Sequence, residues 1–142
     1  MNNNDFTLRV LLPQPPKVVW SVLTDLHHMQ QWFFAEIEQF EPRLGFATAF
    51  AFRYHDKTFT HQWDVRACTQ EKELCLGWQY AEYPGEATAV FRLAPQGQGT
   101  RLDFSSSIIT PYPAMEEFSR ASMEQGWTDL LQQRLKQYCA QG

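Results

Sequence analysis

Midway along this chain the spacing of apolar side chains changes period, and that change limits the folds open to it. Between residues 46 and 109 apolar side chains recur at every second position. Beyond the prolines at 111 and 113 they recur at every third or fourth. The first pattern buries one face of a run of β-strands and the second buries one stripe of a helix.

The strand region divides at its turn residues. Phe46, Phe50, Phe52 and Tyr54 share a face, and His55-Asp56-Lys57 ends that segment. Phe59, His61, Trp63 and Val65 alternate with Thr60, Gln62, Asp64 and Arg66, up to a turn at Gln70-Glu71-Lys72. Leu74, Leu76, Trp78 and Tyr80 follow, then a turn at Pro84-Gly85. Ala87, Ala89, Phe91 and Leu93 alternate up to Pro95-Gln96-Gly97-Gln98-Gly99, and Leu102, Phe104 and Ile108 mark the last strand. Strands joined by turns this short form an antiparallel meander.

Ahead of them, Phe6, Leu8 and Val10 mark a first strand, and Glu36 to Phe40 reads as a weak one. Between these, Val19, Trp20, Leu23 and Leu26 recur at helical spacing after Pro15-Pro16, residues suited to a helix's first turn. Thr24-Asp25 closes that helix and caps a second short one. Met115, Phe118, Ser122, Trp127, Leu130, Leu131, Leu135 and Tyr138 predict one long helix from 114 to 138, crossed by Gly126. A helical glycine costs about 1 kcal/mol relative to alanine, so it implies a close neighbour or a bend.

The expected fold is α+β: a curved antiparallel sheet of about six or seven strands wrapped on a long C-terminal helix, with two short helices after the first strand. At 142 residues the chain reads as one domain spanning 1–142. A bent sheet closed by one straight helix leaves space at one end of the groove, and apolar pockets of that kind hold small molecules. Aromatic residues, 15% of the chain, supply rigid apolar walls for it.

Charge and cysteine usage exclude other classes. The net charge is −4 and no Lys/Arg cluster exists, which argues against nucleic acid and against a membrane surface. Cys68, Cys75 and Cys139 are odd in number and form no CxxC, so free thiols are expected and no zinc site. Met1-Asn2-Asn3-Asn4-Asp5 lacks the charged and apolar regions of a secretory leader, and no apolar run approaches about 20 residues, which points to a cytoplasmic protein.

Several segments together resemble the START-like (SRPBCC) superfamily, whose members have the helix-grip fold. They are Val18-Val19-Trp20-Ser21-Val22-Leu23-Thr24-Asp25 followed by Trp32-Phe33, then Gly45-Phe46, and Gly99-Thr100-Arg101-Leu102. The stretch from Gly126-Trp127 to Gln137-Tyr138 is similar to the C-terminal helix of the branch named for homologues of the heat-shock ATPase activator. The resemblance implies a cavity protein, within a superfamily of lipid and hormone carriers, polyketide cyclases, toxin–antitoxin partners and stress-linked proteins. It also places Tyr112 at the pocket mouth. The chain departs from it at His61-Gln62-Trp63, where many relatives carry a glycine.

The expected activity is binding of a small hydrophobic, aromatic or lipid-like molecule. The candidate ligand-binding residues are Trp32, Phe52, Tyr54, His61, Trp63 and Trp78 on one side, with Phe104, Ser106, Tyr112, Phe118, Ser122 and Trp127 on the other. His61 is the polar residue best placed to orient a ligand or move a proton. No catalytic residue, cofactor or metal ligand is assigned. His27-His28 diverge by about 100° on a helix and read as surface histidines. Ser105-Ser106-Ser107 lacks a nucleophile elbow. Two alternatives stand beside this reading: a cyclase, dehydratase or hydrolase using the same cavity, and a chaperone regulator or homodimer.

Overall fold

The computed structural model describes residues 4–141. Residues 1–3, part of the segment read above as lacking a secretory leader, lie outside the described residues.

Strand β1 (Phe6–Leu12) is followed by α1 (Pro16–Thr24) and α2 (Leu26–Trp32). Pro15 and Pro16 open α1 without losing a hydrogen bond, since the first N–H groups of a helix have no partner within it. The Asp25 carboxylate accepts from the His27 amide at 2.9 Å and caps α2. Five more strands follow: β2 (Ala47–Tyr54), β3 (Lys57–Thr69), β4 (Glu73–Tyr80), β5 (Tyr83–Gln96) and β6 (Gly99–Thr110). They form one antiparallel six-stranded sheet in the order β1-β6-β5-β4-β3-β2. Its curvature has local causes. Register shifts interrupt β3–β4 at Val65/Ala67, β4–β5 at Trp78/Tyr80 and β5–β6 at Glu86/Ala87. Each such irregularity bends and twists its strand.

Two sequence expectations change along this stretch. Glu36 to Phe40 is not a strand. Ile37 and Phe40 are buried, but three positions apart they do not alternate, and the Ile37 carbonyl accepts from the Gln30 side chain at 2.6 Å. The β4–β5 turn is Ala81-Glu82, so Pro84-Gly85 lies inside β5. There Gly85 adopts φ +122, and the Tyr112 ring occupies the space a Cβ would need, so both conformation and space favour glycine.

The C-terminal segment is not one uninterrupted α-helix. A 3-10 turn (Glu116–Phe118) comes first, then Ser119 in extended conformation, whose side chain caps α3 (Arg120–Thr128) by accepting from the Ser122 amide at 3.1 Å. A π-helical stretch, Asp129–Leu135, joins α3 to α4 (Lys136–Ala140). The sequence explains the π turn. Trp127, Leu131, Leu135 and Cys139 are all buried and stand four residues apart. On an α-helix with about 3.6 residues per turn such a series drifts around the surface. The wider π turn has the opposite drift, and the two nearly cancel. All four side chains therefore stay on one buried stripe.

Candidate functional site

The cavity arises where small inward residues meet large ones. Along β5 the inward positions are Ala87, Ala89, Phe91 and Leu93, all buried. Phe91 and Leu93 fill their end of the groove, whereas two alanines leave the other end unfilled. The result is a cavity of about 770 Å³ between the sheet and α3. That size lies within the roughly 300–1,000 Å³ typical of small-molecule sites. Gly126 borders it, and a Cβ at this position would meet nothing within 4 Å. The glycine therefore does not admit a close neighbour, one of the two reasons the sequence offered; it leaves space.

Of the sequence-chosen residues, Phe52, Tyr54, His61, Trp78, Ser106, Tyr112, Phe118, Ser122 and Trp127 line this cavity. Trp32, Trp63 and Phe104 do not; they form the packed layer behind it. The Trp32 indole donates to the Val22 carbonyl at 2.9 Å and its ring stacks on Phe33 at 4.5 Å. Trp63 lies between Phe33 and Trp78, at 5.1 and 5.0 Å. Phe104, fully buried, sits under Trp127 at 4.2 Å. Periodicity identifies the inward face but does not separate side chains that reach the void from those covered by a neighbour.

Sequence reasoning missed Phe34, Phe59, Tyr80, Ala87 and Ala89, which also line the cavity. Tyr80 and the two alanines lie on strand faces already read as inward, and a small residue there was itself a signal. Phe34 gave none, because it sits in the irregular segment after α2.

His61 sets the polarity of one end. Six aromatic rings surround it: Phe50 stacks on it at 4.8 Å and Phe34 lies at 4.9 Å, with Phe52, Trp63, Trp78 and Tyr80 edge-on. Nδ1 lies 3.0 Å from the Phe59 carbonyl oxygen. A carbonyl only accepts, so Nδ1 carries the proton and Nε2 is the bare acceptor. Burial disfavours the imidazolium and lowers the pKa to about 4. Next to it, the Tyr80 hydroxyl accepts from the Trp78 indole at 2.8 Å, and burial pushes its phenol up to about 12. Both groups are neutral at physiological pH.

The rim is held by contacts between distant segments. Tyr112 donates to the Trp78 carbonyl at 2.6 Å and stacks on Phe118 at 5.0 Å. Lys57 pairs with Glu117 at 2.7 Å, joining the start of β3 to the 3-10 turn. This contact raises the Lys57 pKa and lowers that of Glu117. Glu117 thus belongs to the rim. His28 is not a simple surface residue either: its Nδ1 meets the Tyr138 hydroxyl at 2.6 Å and docks α2 on α4. Among the described residues, no group of three or more His, Cys, Asp or Glu side chains could hold a metal ion, and no helix is long and apolar enough to cross a membrane.

A sheet gripping a C-terminal helix, here with an open-mouthed cavity between them, is an arrangement shared with known proteins. A family model described as "Activator of Hsp90 ATPase homolog 1-like protein" matches residues 13–140. The chain belongs to this family. It is a START-type (SRPBCC) family with the helix-grip fold. Protein CV1439 from Chromobacterium violaceum is similar in structure, with a TM-score of 0.77 at 19% identity, covering 98% of this chain and 96% of that one. CalU16 from Micromonospora echinospora has a TM-score of 0.67 at 23% identity, covering 95% and 75%. DynU16, a protein of the dynemicin biosynthetic locus, has a TM-score of 0.76 at 22% identity; 96% of this chain spans 47% of that one. Comparison with curated proteins finds no match.

Proposed function

We propose that this chain binds a small apolar, ring-bearing molecule in the cavity between the sheet and α3. One observation carries this reading: a cavity of about 770 Å³ whose lining includes nine Phe, Tyr and Trp side chains and, on β5, two alanines. Transfer of apolar ligand surface from water would supply most of the affinity, at about 25 cal/mol per Å² before ordering costs. The family's relation to ligand-binding proteins and polyketide cyclases supports a binding role.

Cyclase, dehydratase or hydrolase chemistry in the same space draws less support. Its best-placed base, His61, has its basicity lowered to about 4 and is therefore a weak proton acceptor. Around Arg66 the outer sheet face is polar, the guanidinium being held by Asp64 at 2.9 Å and Glu86 at 2.5 Å, which gives a partner-binding role little support there.

The test uses N-phenyl-1-naphthylamine, a neutral dye that fluoresces in apolar surroundings. Saturable fluorescence with the parent protein is expected. Ala87→Leu, which directs a side chain into the cavity, is expected to abolish the signal while cooperative melting persists. Absence of saturable binding to the parent protein, or full binding to Ala87→Leu, would remove the reading.

A further inference from the structure

We infer that the cavity selects a neutral molecule that presents a hydroxyl, phenolic or alcoholic, to Nε2 of His61, and that it rejects the matching carboxylate. This rests on the binding role proposed above and specifies its ligand.

The argument starts from the tautomer. The Phe59 carbonyl fixes the proton on Nδ1, so Nε2 offers only a lone pair. His61 lines the cavity, and among the described residues no donor reaches Nε2. Tyr80 lines the same end. Its oxygen already accepts from the Trp78 indole, while its own proton meets no acceptor among the described residues. One group is thus an unfilled acceptor and the other an unused donor. A hydroxyl complements both, donating to the imidazole and accepting from the phenol.

An anion fits poorly. The six rings around His61 carry no charge. Among the described residues, the charged group with a resolved influence on the imidazole is Glu82, which is itself acidic. A carboxylate placed there would lose its hydration and face the Nε2 lone pair, and the cavity's arginine, Arg134, which lines it from the π-helical stretch, is not among the groups that act on the imidazole. Lowered basicity keeps the imidazole from protonating to supply one at neutral pH.

Three rod-shaped probes of matched skeleton test the inference: 4-hydroxybiphenyl, 4-methoxybiphenyl and biphenyl-4-carboxylate. Dissociation constants are measured at pH 7.5 by displacement of N-phenyl-1-naphthylamine. The hydroxyl compound is expected to bind about tenfold more tightly than the ether, the worth of one hydrogen bond to a buried acceptor. The carboxylate is expected to bind at least a hundredfold more weakly than the hydroxyl compound. His61→Phe should erase the preference for hydroxyl over ether. On the unaltered protein, the ¹⁵N resonance of Nε2 should shift when 4-hydroxybiphenyl is added, a readout independent of how any variant folds. Equal affinity for hydroxyl and ether, an unmoved Nε2 resonance, or a carboxylate bound as tightly as the phenol would each overturn the inference while leaving an apolar binding site in place. If none of the probes nor the dye binds, the binding role itself falls.

Discussion

At the scale of single residues, His61 couples the site to stability. Its folded pKa, about 4, lies below the ordinary value of 6.5 because burial penalises the charged ring. The unfolded chain therefore binds the proton more tightly than the folded one. The neutral-ring contribution is complete above pH 6.5 and is lost as pH falls from 6.5 toward 4. The loss over that interval amounts to about 3 kcal/mol. Urea denaturation at pH 7 and pH 4.5 should show this slope in the parent protein and a shallower one in His61→Phe. An unchanged slope would mean that His61 is not the group responsible. Gly126 gives an opposite kind of prediction. A Cβ there meets nothing, and the helix gains propensity, so Gly126→Ala should raise stability by about 0.4–1 kcal/mol. A fall in the melting temperature would show that the glycine has a packing role after all.

At the scale of elements, the C-terminal helix is the part whose detail matters most. Its π stretch accommodates a stripe of four buried residues at intervals of four. Deleting the exposed Gln133 would change the intervals to four, three and four, which an α-helix satisfies without a wide turn. The deletion variant is expected to melt cooperatively within about 5 °C of the parent, with loss of the π turn as the compensating change. Loss of cooperative melting would contradict this account of the turn. The helix also depends on its cap. Ser119→Ala removes the acceptor for the Ser122 amide and should cost about 1 kcal/mol in chemical denaturation. No change would indicate that water replaces the hydroxyl.

At the scale of the whole molecule, cavity and stability are linked by mass action. A ligand that binds only the folded form stabilises it by about 2.7 kcal/mol at a hundred times its dissociation constant. For a chain of 142 residues that corresponds to a rise of roughly 5–15 °C in melting temperature. Scanning calorimetry with N-phenyl-1-naphthylamine should show it in the parent protein and not in Ala87→Leu. A rise of equal size in both would place the dye somewhere other than the cavity.

The amino-acid pattern alone determined the class of fold, because period is a local property. Strand faces at Phe59-His61-Trp63 and Leu74-Leu76-Trp78 and the helical stripe through Trp127 follow from geometry that each segment carries by itself. Of the twelve candidate residues chosen from the sequence, nine line the cavity. What only the tertiary structure decided was depth. Whether an inward aromatic residue reaches the void or lies beneath another ring depends on partners distant in sequence, as Phe104 does on Trp127 and Trp63 on Phe33. The imidazole tautomer at His61 was also hidden, since it is fixed by the distance to the Phe59 carbonyl within a strand closed in by rings from β2, β4 and the segment after α2. Burial, and with it pKa and the unfilled acceptor, exists only once those rings have come together.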